Sequence, residues 1–413
     1  MITVEKALKG ILDSITPLGL EKATLLDALN RVIGEDICAS RDIPPKDNSA
    51  MDGYALKTQE TEGASADKPV ILTVIENIRA GYPPRKAPAP GEASKIMTGA
   101  FVPEGTDAVV RLEDTKQEGN RVEIFEEAET GLNIRYRGED VKAGELVIPR
   151  GDIVRPAEMG MLASVGRLSI MIHQRPTVAV LATGDELVDI DGDISGDKII
   201  SSNSYSLAGQ IMASGAVPLR VGIARDTKKD LLEKFKAALR ADIIVSSAGI
   251  SVGDFDFVKD VMEEMGATIE FKSVAQRPGK PLTFGSMDGK PLFGLPGNPV
   301  SSMIAFEQYV RPAILKMMGH KRLFRRTIKA ELTEDIKKKQ GLRYFIRALI
   351  QCDGAKMTVA TTGEQGSGIL KSMVMANGII IIPEDLTLVK KGSLVTVQLM
   401  DDSFELTEKP GYL

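Results

Sequence analysis

The spacing of hydrophobic positions changes along the chain, and each change marks a predicted element. Near the N-terminus the apolar side chains recur every three or four positions, which predicts an amphipathic helix over residues 3–15. A second, shorter helix is expected around Leu25–Arg31. From about residue 69 to residue 139 the pattern changes to short apolar runs, such as VILTVIENI and RVEIFEEA, that are typical of β-strands. The first third of the chain is therefore expected to contain a helical part and a mostly β part.

Strand-like and helix-like segments alternate between Arg175 and Gly319. Buried-strand patterns such as TVAVLA and DIIVSS are followed by helical patterns such as KKDLLEKFKAALR, which indicates a doubly wound, largely parallel sheet. After Gly319 the short strand patterns TIKAEL, YFIRALIQ, KMTVAT, GIIIIP and SLVTVQL predict a small β-barrel or sandwich.

Together these patterns predict a multidomain α/β protein. Its centre is a doubly wound, largely parallel three-layer α/β/α domain. An elongated α+β domain with an inserted β domain precedes it, and a C-terminal small β-barrel or sandwich follows. The predicted boundaries are 1–44 and 140–174 for the elongated N-terminal domain, 45–139 for the inserted mostly β domain, 175–322 for the α/β domain and 323–413 for the barrel.

Composition excludes several classes of function. The net charge of −5 over 413 residues lacks the basic surplus typical of nucleic-acid binders, and no apolar run approaches the roughly 18–20 residues that span a bilayer. Cys38 and Cys352 are too few for a disulfide framework, so we expect a cytoplasmic protein. With only His173 and His320 beside them, a Cys/His zinc site or a histidine-dependent triad is disfavoured. Any catalytic metal would then be bound by carboxylates, which favours Mg²⁺.

A strand, a glycine-punctuated loop and a helix follow one another within Ala241–Gly266. The glycines let backbone N–H groups approach a ligand, and the N-terminus of the helix favours anions. An ordinary βα turn explains the same pattern, because short glycine motifs match by chance. The candidate substrate-binding residues of this stretch are Ser247, Gly249, Ser251, Gly253 and Asp254.

Two further loops are expected at the edge of the sheet where such folds bind ligands. In RPGKP the prolines and the glycine hold Arg277 and Lys280 in a defined geometry that suits phosphate or another oxyanion, although a solvated basic turn has the same composition. In GLPGNPVSS a helix N-cap explains Asn298 and Pro299. The preceding Pro296 and Gly297 are expected to narrow the loop at the edge where the ligand binds. The candidate residues of this second loop are Pro296, Gly297, Asn298 and Pro299.

Three carboxylates follow three different strands of the predicted sheet, namely Glu186, Asp226 and Asp256. If they converge they suit Mg²⁺ beside substrate phosphates, whereas each alone also fits a helix cap or a first-turn acid. Outside the sheet, KDNSAMDGYA carries Asp52 in a polar loop that we expect to be ordered. The segment IMTGAFVP, with Thr98, predicts a strand followed by a turn.

Six motifs, in the same order and spacing, resemble the molybdopterin molybdenumtransferase family, and the match extends over the whole chain. They are PPKDNSAMDGYAL, KIMTGAFVPEGTDAVV, LATGDELV, SSAGISVGDFDFVKDV, RPGKPLTFG and GLPGNPVSS. The C-terminal domain of the vertebrate protein gephyrin is related to this family. The resemblance implies insertion of molybdate into adenylylated molybdopterin with release of AMP, the last step of molybdenum cofactor synthesis, and dependence on a divalent cation. Tungstate has the same shape and charge as molybdate, so either oxyanion fits.

The resemblance also implies an elongated homodimer of four domains, in which the α/β domain binds molybdopterin and the active site is shared between subunits. The residues implied for catalysis are Asp52, Thr98, Asp140, Glu186, Asp226, Asp256, Arg277 and Lys280. The first three would face the cleft from the partner subunit, and the next three match functional acids and are the candidate Mg²⁺ ligands. The implied substrate contacts elsewhere are Pro296, Pro299, Arg347 and Ser367, of which the last two are implied to contact molybdate.

Two alternatives stay open beside this hypothesis. The α/β domain of the family resembles the adenylylating partner enzyme, so the chain could instead make the adenylylated pterin. A non-catalytic scaffold that binds protein partners, as the gephyrin relative does, is the other. The expected partners of the leading hypothesis are adenylylated molybdopterin, a second copy of the chain and the molybdopterin adenylyltransferase.

Overall fold

A computed structural model describes residues 1–248, 256–353, 356–401 and 410, without the side chains of Asp256, Phe257 and Lys259. It divides into two compact units, one formed by Met1–Glu21 with His173–Leu413 and the other by Lys22–Ile172. None of the helices in these described stretches combines the length and the apolar composition needed to cross a membrane.

The helices are, in chain order, α1 Val4–Ser14, α2 Pro156–Ser164, α3 Ser202–Ala213, α4 Lys228–Ala238, α5 Asp256–Glu264, α6 Pro299–Ala305, α7 Arg311–Met317 and α8 Lys371–Met375. The strands of the first half are β1 Leu20–Thr24, β2 Ile37–Cys38, β3 Asn48–Ser49, β4 Gly53–Leu56, β5 Val70–Ile78, β6 Glu92–Ile96, β7 Ala108–Arg111, β8 Thr115–Glu118, β9 Arg121–Ile124, β10 Ile134–Arg135, β11 Leu146–Ile148 and β12 Ser169–His173. The strands of the second half are β13 Thr177–Thr183, β14 Leu187–Val188, β15 Ile199–Ile200, β16 Val217–Ala224, β17 Ile243–Ser247, β18 Thr268–Phe271, β19 Gln276–Arg277, β20 Thr283–Met287, β21 Lys290–Leu295, β22 Thr327–Leu332, β23 Ile336–Lys337, β24 Arg343–Asp353, β25 Lys356–Thr361, β26 Gly378–Ile382, β27 Leu388–Val389 and β28 Leu394–Leu399.

The α/β part of the first unit is a six-stranded sheet in the order β16-β13-β17-β21-β20-β18. The first four strands are parallel, and β20 runs antiparallel to both of its neighbours. The predicted doubly wound, largely parallel sheet is therefore confirmed. Because β13 is buried on both faces, its side chains alternate between two cores: Val178 and Val180 face one, and Ala179 and Leu181 face the other.

Helices cover both faces of this sheet. Side chains of α4 and α5, such as Phe235 and Val261, share a core with one face, whereas α3, α6 and α7 pack on the other. Helix α1 packs on that second face through Val4, Ala7 and Ile11, and Thr3 caps it by accepting a hydrogen bond from the Lys6 N–H at 3.3 Å. The boundary predicted from the sequence places this helix in the N-terminal domain. The structure groups it with the α/β domain because its apolar stripe is buried there.

A closed five-stranded barrel forms the C-terminal part of the first unit. Its strands follow the order β24-β25-β22-β28-β26, and β26 closes the barrel on β24. Inward side chains such as Ile346, Val359 and Val397 make its core. Strand β19 adds to β24 in parallel through Gln276 and Arg277, so the basic loop of the α/β domain begins on the barrel wall.

The second unit contains a six-stranded sheet in the order β7-β4-β6-β5-β9-β8, with a separate core built from residues between Ala23 and Ile172 beside it. The helix predicted around Leu25–Arg31 is wrong. These residues form turns because Asn30 adopts a left-handed φ of 62° and donates its N–H to the Val154 carbonyl at 2.8 Å, which ends any helix after one turn.

Candidate functional site

The loop after β13 turns back over the end of its own strand. Gly184 has a φ of +143°, and a Cβ atom there would lie 2.4 Å from Oε2 of Glu186. Only glycine leaves this space, so the glycine of the TGDE motif allows the Glu186 carboxylate to lie against the carboxyl end of the sheet. The side chain is exposed to solvent in this position.

The loop after β16 contacts the loop after β13. The Asp226 N–H donates to Oδ1 of Asp185 at 3.2 Å, and the Arg225 guanidinium donates to the Asp185 and Leu187 carbonyls at 3.1 and 2.9 Å. Two of the three predicted carboxylates, Glu186 and Asp226, are therefore carried by loops that touch.

The third predicted carboxylate, Asp256, begins helix α5, and its side chain lies outside the described residues. The glycine-loop candidates Gly249, Ser251, Gly253 and Asp254 also lie outside them. Among the residues whose side chains are described, no group of three His, Cys, Asp or Glu side chains could hold a metal ion.

Asn203, on the first turn of α3, joins two of the predicted loops and was missed by sequence reasoning. Its Nδ2 donates to Oγ of Ser247 at 2.6 Å and to the Gly297 carbonyl at 2.8 Å. Because a carbonyl only accepts, this orientation of the amide is fixed, and the buried Oδ1 has no hydrogen-bond partner among the described residues. The signal in the sequence was an asparagine between serines in SSNSYS, directly before the apolar helical pattern LAGQIMASG.

The LPGNP loop passes from β21 to α6. Pro296 is buried, whereas Gly297 and Asn298 are exposed. Asn298 occupies the N-cap position and Pro299 the first helical position, as predicted, but the Asn298 side chain makes no capping hydrogen bond. The helix-cap explanation therefore accounts for Pro299 and leaves the Asn298 amide facing solvent.

The buried, neutral Gln276 fixes the backbone of the basic loop RPGKP. Nε2 of Gln276 donates to the carbonyls of Pro278 and Gly279 at 3.1 and 3.2 Å, and its Oε1 accepts a short hydrogen bond from the Tyr309 hydroxyl. Tyr309 lies in a π-helical turn, Phe306–Val310, between α6 and α7, and burial raises the pKa of its phenol. The sequence analysis selected neither Gln276 nor Tyr309 as a candidate. The only available signal was that Gln276 directly precedes the RPGKP motif.

This anchoring leaves the two predicted cations on the surface of the loop. Arg277 and Lys280 are both exposed, and no carboxylate of the described residues pairs with either. The guanidinium of Arg277 lies 5.7 Å from the centre of the Tyr344 ring on the barrel.

Arg347 occupies a different environment from these cations. It is 1% exposed, and its guanidinium donates to Oγ of Ser372 at 3.0 Å and to the Gly366 carbonyl at 2.9 Å. Burial lowers its pKa to about 10. The carbonyl of Ser367, one residue beyond this contact, accepts the N–H of Val300 in α6 at 3.1 Å. Arg347 therefore fixes the barrel loop that touches the helix after LPGNP.

A cavity of about 740 Å³ lies where the basic loop meets the barrel. Its walls include Arg277 and Arg347, whereas Lys280 and Ser367 are outside its lining. The complete lining is Arg277, Pro278, Glu334, Asp335, Ile336, Lys337, Lys338, Lys339, Tyr344, Phe345, Ile346, Arg347, Thr361, Glu364, Gln365, Gly366 and Ile369.

In the second unit, two of the three predicted residues meet. Oδ1 of Asp52 accepts hydrogen bonds from the Thr98 N–H at 2.7 Å and from the Thr98 hydroxyl at 2.8 Å, which hold the pKa of the Asp52 carboxyl below its usual range. Asp140 lies on another loop, where its N–H donates to the Ile43 carbonyl at 3.1 Å. No hydrogen bond among the described residues joins Asp140 to the pair.

Three family descriptions match successive parts of the chain. Residues 2–166 match the MoeA N-terminal region (domain I and II), residues 179–316 match a probable molybdopterin binding domain, and residues 329–400 match the MoeA C-terminal region (domain IV). The α/β sheet and the barrel described above correspond to the second and third matches, and each begins two residues before its match.

Similar proteins and structures agree with these matches. A molybdopterin molybdenumtransferase of Staphylococcus epidermidis is 35% identical over 406 residues, which cover 98% of this chain and 97% of that protein. A molybdopterin molybdenumtransferase of Nostoc is 35% identical over 383 residues, covering 91% and 88%. A solved structure of the molybdopterin biosynthesis MoeA protein from Pyrococcus horikosii is 30% identical, with a TM-score of 0.82, and covers 97% of this chain and 99% of that one. This chain therefore belongs to the molybdopterin molybdenumtransferase family.

Proposed function

We propose that this chain inserts molybdate, or tungstate, into adenylylated molybdopterin and releases AMP, in the final step of molybdenum cofactor biosynthesis. The observation that carries the proposal is the joining of loops at one sheet edge, where Asn203 ties the end of β17 to the LPGNP loop. Carboxylates, exposed cations and a cavity of about 740 Å³ all belong to this same unit. The relatives that bear this activity in their names support the choice of reaction.

In this proposal Mg²⁺ binds on the acidic side of the site. Glu186 and Asp226, on touching loops, are the candidate oxygen ligands, and Asp256 at the start of α5 is the candidate third ligand. A hard cation with few protein ligands also accepts water and substrate phosphate oxygens, so two or three carboxylates suffice. When bound, Mg²⁺ would offset the negative charge that develops on the departing AMP.

Arg277 and Lys280 supply the cationic side. Both are exposed on a loop whose backbone is fixed by Gln276, so the backbone that carries the guanidinium and ammonium groups needs little reordering when an oxyanion binds. Arg347 is largely buried but lines the cavity, so in this proposal its positive charge acts on the oxyanion and its hydrogen bond to Gly366 holds the loop that presents Ser367. In this proposal the Asn298 amide, the backbone around Pro296 and Ser247 contact the pterin phosphate, and the glycine-loop candidates, which lie outside the described residues, keep the role predicted from the sequence.

In the proposed reaction the protein mainly positions the two substrates, and no side chain has to act as a nucleophile. Cleavage of the phosphoanhydride bond consumes one water and leaves AMP and the terminal phosphate of the pterin. The two dithiolene thiols form bonds to the metal of the oxyanion, and their two protons leave with one of its oxides as water. The cations of the basic loop stabilise the negative charges that meet there. No residue of the chain has to form a covalent intermediate.

The proposed enzyme is a cytoplasmic homodimer. Asp52, Thr98 and Asp140 of one subunit would then complete the site of the other. The hydrogen-bonded Asp52–Thr98 pair supports this role for the two residues, since it presents an ionised carboxylate at the surface. The molybdopterin adenylyltransferase, which would supply the substrate, is the proposed protein partner.

A defined assay tests the proposal. Purified protein is mixed with adenylylated molybdopterin, Mg²⁺ and either molybdate or tungstate, and AMP release and metal insertion are measured. We expect both products from the wild type, and a loss of at least about tenfold in Glu186→Gln and Asp226→Asn, with a raised Mg²⁺ requirement. Glu233→Gln, an exposed acid on α4, is the matched control and should behave as the wild type.

Two outcomes would contradict the proposal. Formation of adenylylated pterin from ATP, Mg²⁺ and molybdopterin would assign the chain to the preceding step. Unchanged activity in both carboxylate variants, at every Mg²⁺ concentration, would remove the acidic side of the site. Comparing the rates with molybdate and tungstate identifies the preferred oxyanion.

A further inference from the structure

A row of lysines on the barrel borders the cavity described above. In strand β23 and the residues after it, Ile336 and Lys338 are buried, whereas Lys337 and Lys339 are exposed. This alternation places the two exposed ammonium groups on the same side of the segment. Both residues line the cavity.

The intervening Lys338 fixes this segment. Its ammonium group donates to the Leu342 carbonyl at 2.9 Å and to the Glu384 carbonyl at 3.3 Å, and it lies 5.0 Å from the centre of the Tyr344 ring. The same ring is contacted by Arg277 of the basic loop. The contacts of Lys338 therefore fix the backbone that carries Lys337 and Lys339 beside the proposed oxyanion site.

Acids in the lining only partly offset the cationic groups of the cavity wall. No carboxylate among the described residues forms an ion pair with Lys337 or Lys339. Of the acids in the lining, Glu334 and Asp335 each accept a backbone N–H at 2.7 Å, from Thr361 and Lys391. The lining holds five cationic and three acidic side chains, in a chain whose net charge is −5. The cavity is a local positive field on an acidic protein.

The cavity is also larger than the ion it is proposed to bind. Four oxygen atoms at roughly 30 Å³ each, the share of a water molecule, occupy about 120 Å³. A volume of about 740 Å³ leaves room for a hydrated ion to enter and be held before it reaches Arg277. The lysines stand on the barrel side of this space.

We propose that Lys337 and Lys339 form an outer binding site for a tetrahedral oxyanion, from which the ion passes to Arg277. The site captures molybdate or tungstate and raises its concentration beside the basic loop. This inference rests on the proposed function, because it requires Arg277 to bind the oxyanion during the reaction.

Direct binding tests it in the full-length protein. Molybdate binding is measured by isothermal titration calorimetry, at low and high NaCl, for the wild type, Lys337→Gln/Lys339→Gln, and Lys337→Arg/Lys339→Arg. The matched control is Lys390→Gln/Lys391→Gln, which removes two exposed charges from the same barrel outside the cavity. We expect the glutamine pair to weaken binding about tenfold at low salt, the arginine pair to restore it, and the difference to shrink at high salt.

The outcomes separate the two proposals. If the wild type binds molybdate and the glutamine pair binds it equally well at low salt, the outer site does not exist, while the proposed function stands. If the wild type binds no oxyanion and inserts none, the proposed function fails. If the glutamine pair instead raises the KM for adenylylated molybdopterin and leaves molybdate binding unchanged, the lysines bind the phosphates of the other substrate and our assignment is overturned. Equal thermal melting of all variants establishes that these changes are not losses of folding.

Discussion

At the residue scale, the groups that position this site are mostly neutral and buried. Gln276 fixes two carbonyls of the basic loop, and Asn203 fixes Ser247 to the Gly297 carbonyl. The sequence pointed to the charged residues beside them, because charged side chains in glycine- and proline-rich loops stand out. A buried amide does not, since its importance depends on partners that are distant in the chain.

Gly279 gives a prediction at this scale. It has a φ of +83°, and a Cβ atom there would lie 2.9 Å from Nε2 of Gln276 and 3.3 Å from the Ser301 carbonyl. Gln276 cannot move away cheaply, because three hydrogen bonds hold its amide. We expect Gly279→Ala to lower the free energy of unfolding by more than the roughly 1–2 kcal/mol of the left-handed backbone alone, and to raise the KM for molybdate.

Gly289→Ala is the control for this prediction. Gly289 has a similar φ of +72°, and a Cβ atom there would have no neighbour within 4 Å. Urea unfolding of both variants should show the larger loss for Gly279→Ala, and only that variant should change the KM. Equal losses, with an unchanged KM in both, would mean that the contact with Gln276 does not constrain the loop.

At the element scale, the local pattern of hydrophobic positions predicted most of the strands and helices. Strand β5 follows the predicted VILTVIENI run, and the alternation of strand and helix patterns gave the α/β sheet. The short helix predicted around Leu25–Arg31 is wrong because the segment is short and the Asn30 N–H donates a hydrogen bond to the carbonyl of Val154, which is distant in sequence. Short segments carry little periodic information, so tertiary hydrogen bonds decide them.

Helix α2 gives a prediction about pH. Its Pro156 occupies the first turn, and the Glu158 carboxylate accepts from the Arg155 backbone N–H at 2.9 Å and from Nε of Arg155 at 3.0 Å. The hydrogen bond from the Arg155 side chain is the main cause that lowers the pKa of Glu158 to about 2. A lowered carboxyl pKa stabilises the fold fully above its ordinary value of 4.5, and this contribution is lost as the pH falls toward 2.

We therefore expect Glu158→Gln to cost about 1 kcal/mol of unfolding free energy near neutral pH, in the range of other helix caps. The difference from the wild type should shrink as the pH falls from 4.5 to about 2. Glu104→Gln, at an exposed loop position of the same unit, is the control and should show no such trend. A difference that is constant over this pH range would contradict the proposed capping role. Urea unfolding at a series of pH values measures both.

At the scale of the whole molecule, the chain has several separate cores. The α/β domain and the barrel belong to one compact unit, and residues Lys22–Ile172 form the other. Leu162 is fully buried in the second unit, and Phe235 is fully buried in the first. Separate cores of this size are expected to unfold in more than one step.

Calorimetry tests this expectation with one truncation in each unit. Leu162→Ala and Phe235→Ala should each cost about 2–5 kcal/mol, and each should lower the midpoint of a different transition. Lys329→Gln, an exposed change on the barrel, should move neither. A single transition that both truncations shift by the same amount would show that the chain unfolds cooperatively as one body.

The sequence alone determined the fold class and the loops at the edge of the sheet, because periodicity, glycines and prolines act over a few residues. The resemblance of six motifs indicated the family. Tertiary structure decided which loops touch, and that Arg347 is buried while Arg277 is exposed. It also decided that Lys337 and Lys339 border the same cavity as Arg277, which is distant in sequence. It also placed α1 on the α/β core. The physical reason is that burial and the electrostatic field depend on residues that are far apart along the chain, and neither is written into a local pattern.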